Sequence, residues 1–172
     1  MKKITLILFL FSFVTFAQEK KDYSKNVATL DSTIATLYSV ISGDKGVKRD
    51  WALFKHLFKK DAKLIATGKN PKGETVVRYM STEDYINTSG NWLVENGFYE
   101  VEINRETQVF GNIAHVFTTY EAFKSKDDKE PFMRGINSVQ LFIDGKRWWI
   151  INIYWTQESD ENPIPEVYLS KN

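Results

Sequence analysis

The chain contains no cysteine, and that absence removes disulfides, thiolate-bound metals and a lipid-modified cysteine anchor together. Histidine is scarce: His56 and His115 are the only two, well short of the three or four converging ligands that a metal site needs. An excess of one charge is also missing, with 23 basic against 22 acidic residues, so the electrostatic footprint of a nucleic-acid binder is lacking. No nucleophile elbow occurs. Gly68-Lys69 is not the end of a phosphate loop, because Lys63 stands where that loop requires glycine. These gaps set the expectation of no metal, no cofactor and no nucleic-acid partner.

One apolar run stands out. Lys2 and Lys3 precede Ile4 to Val14, followed by Thr15-Phe16-Ala17. The run is shorter than the about 20 residues of a membrane helix. With its charged start and small residues before Gln18 it reads as a signal peptide, residues 1–17, cleaved after Ala17. The expected location is therefore secreted or periplasmic, with no membrane span after cleavage. Removing Lys2 and Lys3 leaves 21 basic and 22 acidic residues. With 42% hydrophobic and 15% aromatic residues, the rest suits one domain with a packed core. The reading divides it into a flexible leader (18–26), a domain (27–157) and a C-terminal arm (158–172) carrying Pro163 and Pro165.

Apolar residues at Val27, Leu30, Ile34, Leu37, Tyr38 and Ile41 recur at helical spacing and stop at Gly43. Asp50 is placed to cap a second helix whose inner side carries Trp51, Leu53, Phe54, Leu57 and Phe58. Short strands are expected at Lys63 to Thr67 and around Thr75 to Tyr79. Ser81 and Asp84 open a third helix as a capping box that breaks before Gly97. From Tyr99 onward the period becomes two, which predicts a four-strand antiparallel meander.

Turn chemistry fixes an expected register for that meander. Gly111-Asn112 as a two-residue turn sets Arg105 opposite Thr118, and a turn centred on Asp127-Asp128 sets Thr118 opposite Asn137. Asp144-Gly145 as a two-residue turn sets Leu141 opposite Trp148 and Asn137 opposite Asn152. One face then carries a transverse polar row, Arg105, Thr118, Asn137 and Asn152, with Tyr120 and Tyr154 one step beyond. These six are the candidate ligand-binding residues, because buried polar side chains either satisfy one another or line a cavity. The other face carries Glu100, Glu102, His115 and a large apolar set. Arg134, Trp149, Ile151, Ile153 and Trp155 there are the candidate homodimer interface; the rival reading has Ile164 to Leu169 folding back over it.

Helices, two short strands, a third helix and a long meander resemble the nuclear transport factor 2-like superfamily, which includes SnoaL-like polyketide cyclases, ketosteroid isomerase and scytalone dehydratase. The resemblance rests on Trp51 to Ile65, Gly111 to Tyr120 and Asp144 to Ile150. It implies an α+β fold of the cystatin-like type, a cone-shaped curved antiparallel sheet wrapped around three N-terminal helices. It also implies a pocket between the concave face and the helices, where catalytic members hold an Asp or His. On the register above, the inner face offers Arg105 and no meander carboxylate. Asp61, near the first strand, is then the candidate base, with Tyr120 and Tyr154 as candidate carbonyl-polarising groups.

Three readings stay open: an exported module binding a small, partly apolar ligand; an enzyme of the isomerase or lyase type; and a non-catalytic dimeric scaffold. A carboxylate within hydrogen-bond reach of the polar row, shifted upward in pKa, discriminates in favour of the enzyme.

Overall fold

The computed structural model describes residues 21–169; the expected signal peptide lies outside the described residues. Helix α1 (Leu30–Ile41) starts at Thr29, whose hydroxyl accepts from the Ser32 amide while Ser32 accepts from the Thr29 amide. Ile34, Leu37, Tyr38 and Ile41 on its inner side are buried, the stripe the helical spacing predicts. Helix α2 (Trp51–Leu57) is capped by Asp50, which accepts from the Leu53 amide at 3.0 Å. The same carboxylate binds Lys21 at 2.9 Å and the Tyr23 hydroxyl at 3.0 Å. From residue 21 the chain of the expected leader is held against the fold and runs into a turn at Ser24–Val27, with Val27, the first residue of the expected domain, buried. Its anchor lies 27 residues away from Tyr23, beyond the reach of local pattern.

The Ser81–Asp84 capping box opens α3 (Thr82–Tyr85), which passes through one wide π turn (Ile86–Gly90) into α4 (Asn91–Asn96). Gly97, at φ 74°, ends it, in the left-handed region that glycine enters without strain.

The strands are β1 (Phe58–Lys69), β2 (Thr75–Met80), β3 (Tyr99–Phe110), β4 (Ile113–Phe123), β5 (Met133–Ile143) and β6 (Trp148–Gln157). They form one sheet in the order β2-β1-β6-β5-β4-β3. The fold is α+β, a curved six-strand sheet with the helices from the N-terminal part of the chain. Four neighbouring pairs are antiparallel and β1 runs parallel to β6. Ile34, Phe54, Leu57, Val116, Val139, Leu141 and Ile150 form the centre of the core.

The β4–β5 register is the expected one along its whole length, with Thr118 opposite Asn137. The β3–β4 register is as expected from the turn to Asn104. There Ile103 is inserted without a partner, so Glu102 faces Tyr120 and Glu100 faces Ala122. The β5–β6 hairpin departs from expectation twice. Asp144 accepts from the amides of Lys146 and Arg147, each at 3.0 Å, closing a four-residue loop in place of a two-residue turn. Leu141 therefore faces Ile150 rather than Trp148. Ile151 is then an unpaired extra residue, so Gln140 faces Asn152 and Asn137 faces Trp155.

Each inserted residue is a β-bulge, and each exchanges the two faces beyond it. Glu100 and Glu102 move to the helix-facing side. Ile153 and Trp155 join the core there, while Asn152 and Tyr154 turn to the opposite side.

That opposite side is not the continuous apolar patch expected. Arg134 faces Glu121 across the strands but forks onto Glu158 at 2.7 and 3.2 Å. Trp149 lies under Arg147 and Lys59, at 3.6 and 4.1 Å from its ring. The arm crosses the same face: Tyr168 and Val167 carbonyls accept from Thr119 (2.6 Å) and Asn104 (3.3 Å), and the Tyr168 ring packs on Phe117. The rival reading, with the arm folded back, describes this region.

Arg49 ties the helices together. It is 7% exposed, and its guanidinium donates only to backbone carbonyls, those of Ile41, Gly43, Asp44, Val47 and Leu93. The end of α1, the following loop and α4 thus share one planar donor set. An ammonium cannot reproduce that fork. Arg49→Lys is expected to lower stability by about 2 to 4 kcal/mol, read as a reduced denaturant midpoint with an unchanged slope.

Candidate functional site

Between the helix-facing side of the sheet and α1, α2, α3 and α4 lies a cavity of about 200 Å³. Its wall is mostly aromatic: Phe54, Phe58, Tyr85, Trp92, Phe98 and Trp155. Phe54 stacks on Tyr85 at 5.3 Å, and Tyr85 meets Trp155 edge-on at 6.5 Å, so the rings hold one another in place. Trp92 and Gln157 line the cavity yet are exposed, which marks its mouth.

Glu100 is the one ionisable carboxyl in that lining. Burial among these rings pushes its pKa from the ordinary 4.5 up to about 7, opposed in part by a hydrogen bond from Asn137. Its side chain is half-buried by surface area, but the walls around it are protein, so desolvation outweighs the bond. Glu100 also borders a surface groove formed with Tyr38, Ser42, Asp44, Glu102 and Lys126. The carboxyl therefore stands between an internal cavity and solvent.

Tyr120 and Tyr85 reach the same cavity. Burial first, and then the Glu100 charge, push both hydroxyls well above the usual phenol range. They are neutral donors at ordinary pH. Neither hydroxyl has a hydrogen-bond partner among the described residues. The Tyr120 hydroxyl lies over Gly135, where an added Cβ would come within 2.5 Å of it. Only glycine leaves room for it there.

Behind Glu100 the polar row is a continuous hydrogen-bonded chain. Asn137 Nδ2 contacts Glu100 Oε1 at 3.3 Å and the Tyr38 hydroxyl at 3.2 Å. Tyr38 meets Thr118 Oγ1 at 3.0 Å, and Thr118 donates to Glu102 Oε1 at 2.5 Å. Arg105 grips Glu102 through Nε (2.7 Å) and Nη2 (2.5 Å) and reaches Asp31 at 2.6 Å.

Of the six residues expected to bind ligand, Tyr120 and Asn137 line the cavity. Thr118 and Arg105 stand behind it. Asn152 and Tyr154 are on the other face, where Asn152 donates to Gln140 at 2.8 Å and Tyr154 is half-exposed; the Ile151 bulge reverses them. Asp61, the expected base, is exposed on β1 and outside the lining. Of the five expected interface residues, Ile153 and Trp155 line the cavity instead. Sequence reasoning missed Glu100, Tyr85, Trp92 and Gln157. Among the described residues no cluster of His, Asp and Glu gathers as a metal would require.

No protein-family model matches the sequence, and no curated protein matches it. Solved structures do match in shape. A Nostoc punctiforme protein of unknown function with a cystatin-like fold has a TM-score of 0.56 at 12% identity, covering 78% of this chain and 96% of its own. An NTF-2 like protein of unknown function from Silicibacter pomeroyi has 0.52 at 16%, covering 80% and 100%. The chain has the nuclear transport factor 2-like fold. A Parabacteroides distasonis protein provisionally assigned as a ketosteroid isomerase is similar as well, at 0.52 and 14% identity over 80% of this chain and 98% of that one. At such identities the likeness is one of fold, and the chemistry must come from the NTF2-like cavity itself.

The raised Glu100 pKa links the site to stability. The folded protein keeps a proton that the unfolded chain releases above 4.5. The stabilisation from that proton is complete below 4.5 and is lost as pH rises to about 7. Glu100→Gln removes this dependence. Unfolding free energies at pH 4.5 and 7.5 should show wild type losing on the order of 3 kcal/mol relative to the variant.

Proposed function

We propose that the cavity is an acid–base site that moves a proton on a small, largely apolar molecule bearing a carbonyl. The carrying observation is Glu100, a carboxyl whose pKa burial pushes up to about 7, set in an aromatic cavity with two tyrosine hydroxyls that have no hydrogen-bond partner among the described residues. A base is effective when its pKa lies near the working pH, and burial is the means by which a glutamate gets there. A neutral phenol aimed at a carbonyl oxygen donates to the negative charge that develops when the α-proton leaves. In this reading Glu100 takes the proton, Tyr120 or Tyr85 holds the enolate oxygen, and Glu100 returns the proton to the same or a conjugated carbon. Isomerases and lyases share that half-reaction.

Export after cleavage at Ala17 is part of the proposal and rests on the pattern of residues 1–17. So is pairing of two copies through the outer face. That pairing would draw on Ile151 and Trp149, since Ile153 and Trp155 point inward and Arg134 is held by Glu158.

The test is exchange of α-hydrogens for deuterium, followed by NMR, across cyclic ketones from cyclopentanone to 2-tetralone. Exchange should rise with pH through an apparent pKa near 7 and fall by about 10²-fold or more in Glu100→Gln. Ketones that bind without exchanging would make the protein a binding module and defeat the acid–base reading.

A further inference from the structure

The polar chain behind Glu100 has a direction, and the direction originates at Glu102. Paired with Arg105, that carboxylate can only accept, so Thr118 must spend its single hydroxyl proton on it. The Thr118 oxygen is then left to accept, and Tyr38 must be the donor across their 3.0 Å contact. Tyr38 in turn accepts, which requires the nitrogen end of the Asn137 amide to face it. The second hydrogen on that nitrogen points to Glu100 Oε1. An amide is otherwise free to present either end.

We propose that Glu102 is a positioning residue that acts through Thr118 and Tyr38 to orient the Asn137 amide, keeping a hydrogen-bond donor on Glu100. The inference rests on Glu100 as the acid–base group of the site. With the amide turned round, its oxygen would accept from protonated Glu100 and favour the neutral acid. The orientation therefore sets how readily Glu100 gives up its proton. The other groups facing Glu100 are Tyr38 from α1, Tyr85 from α3, Tyr120 from β4, Glu102 on β3, and Asp44 and Lys126 across the groove.

Charge alone and amide orientation make opposite predictions. Removing Glu102 deletes a negative charge and leaves Arg105 with only Asp31, which by electrostatics alone lowers the Glu100 pKa. Through the chain it raises that pKa, because the Asn137 donor is no longer enforced. The experiment follows the Glu100 carboxyl resonance against pH in protein labelled with 13C at the glutamate carboxyl, assigned with Glu100→Gln. Glu102→Leu should raise the midpoint by about one pH unit. Thr118→Val, which changes no charge, should raise it comparably. Glu102→Gln loses the same charge but keeps an acceptor oxygen for Arg105 and Thr118, so its midpoint should lie at or below that of wild type and not above it.

A lowered midpoint in Glu102→Leu overturns the proposal, and so does an unchanged midpoint in Thr118→Val. Because the readout needs no substrate, the two ideas fail separately. Raised midpoints in a protein that exchanges no ketone hydrogens uphold the positioning role and overturn the catalytic reading. Ketone exchange whose pH profile is unmoved in Thr118→Val does the reverse.

Discussion

A regular strand presents alternate residues to one face, so Glu102 and Arg105, three positions apart, can share a face only if a residue between them is taken out of register. Ile103 is that residue. Its insertion lets Arg105 stay opposite Thr118 while Glu102 sits opposite Tyr120. The ion pair, the hydroxyl chain to Asn137 and the arrival of Glu100 in the cavity all follow from that single unpaired residue. Ile151 does the same for β6, turning Ile153 and Trp155 inward. Bulges are known to re-aim side chains beside functional sites. Here two of them, on different strands, compose the cavity.

That explains which parts of the molecule could be read in advance. Local chemistry was legible: Asp50, Ser81 with Asp84, and Gly97 cap and stop their helices as their side chains dictate. So was the β4–β5 register, because Thr118 and Asn137 lie on strands that keep period two between them. Bulges left weaker traces. Glu100, Glu102 and Asn104 alternate with Tyr99, Val101 and Ile103 as a half-buried strand should, and nothing in that pattern says that the carboxylates face inward. The hint was relational: Arg105 had no acidic partner on its expected face, while Glu102 lay close by in sequence. A buried arginine without a counter-charge is costly enough to have argued against an unbroken register. At Asp144 the side chain, rather than Gly145, decides the loop, and its capture of two amides lengthens the turn.

The same face carries two carboxyls with different fates, and partners decide which is which. Glu102 has a guanidinium fork and a hydroxyl donor, the arrangement that makes a buried carboxylate tolerable as an anion. Glu100 has one long amide contact and a wall of aromatic rings. Desolvation there is met by keeping the proton. On the proposed acid–base role, that costs stability at neutral pH in exchange for a group able to change charge, the compromise expected where a functional site keeps an under-satisfied polar group.

Division of labour between the two glutamates also bears on how the fold can be reused. The Arg49 staple and the Phe54–Tyr85 ring stack are contacts in which Glu100 takes no part. A substitution at Glu100 or Tyr120 therefore acts on the lining of a cavity whose frame is held elsewhere. A shift of one residue in β3 acts differently, because it sends Glu100 and Glu102 back to the opposite face and leaves the half-buried Arg105 with only the exposed Asp31. The chemistry of this site is set less by which residues the chain contains than by the unpaired isoleucine that decides where they point.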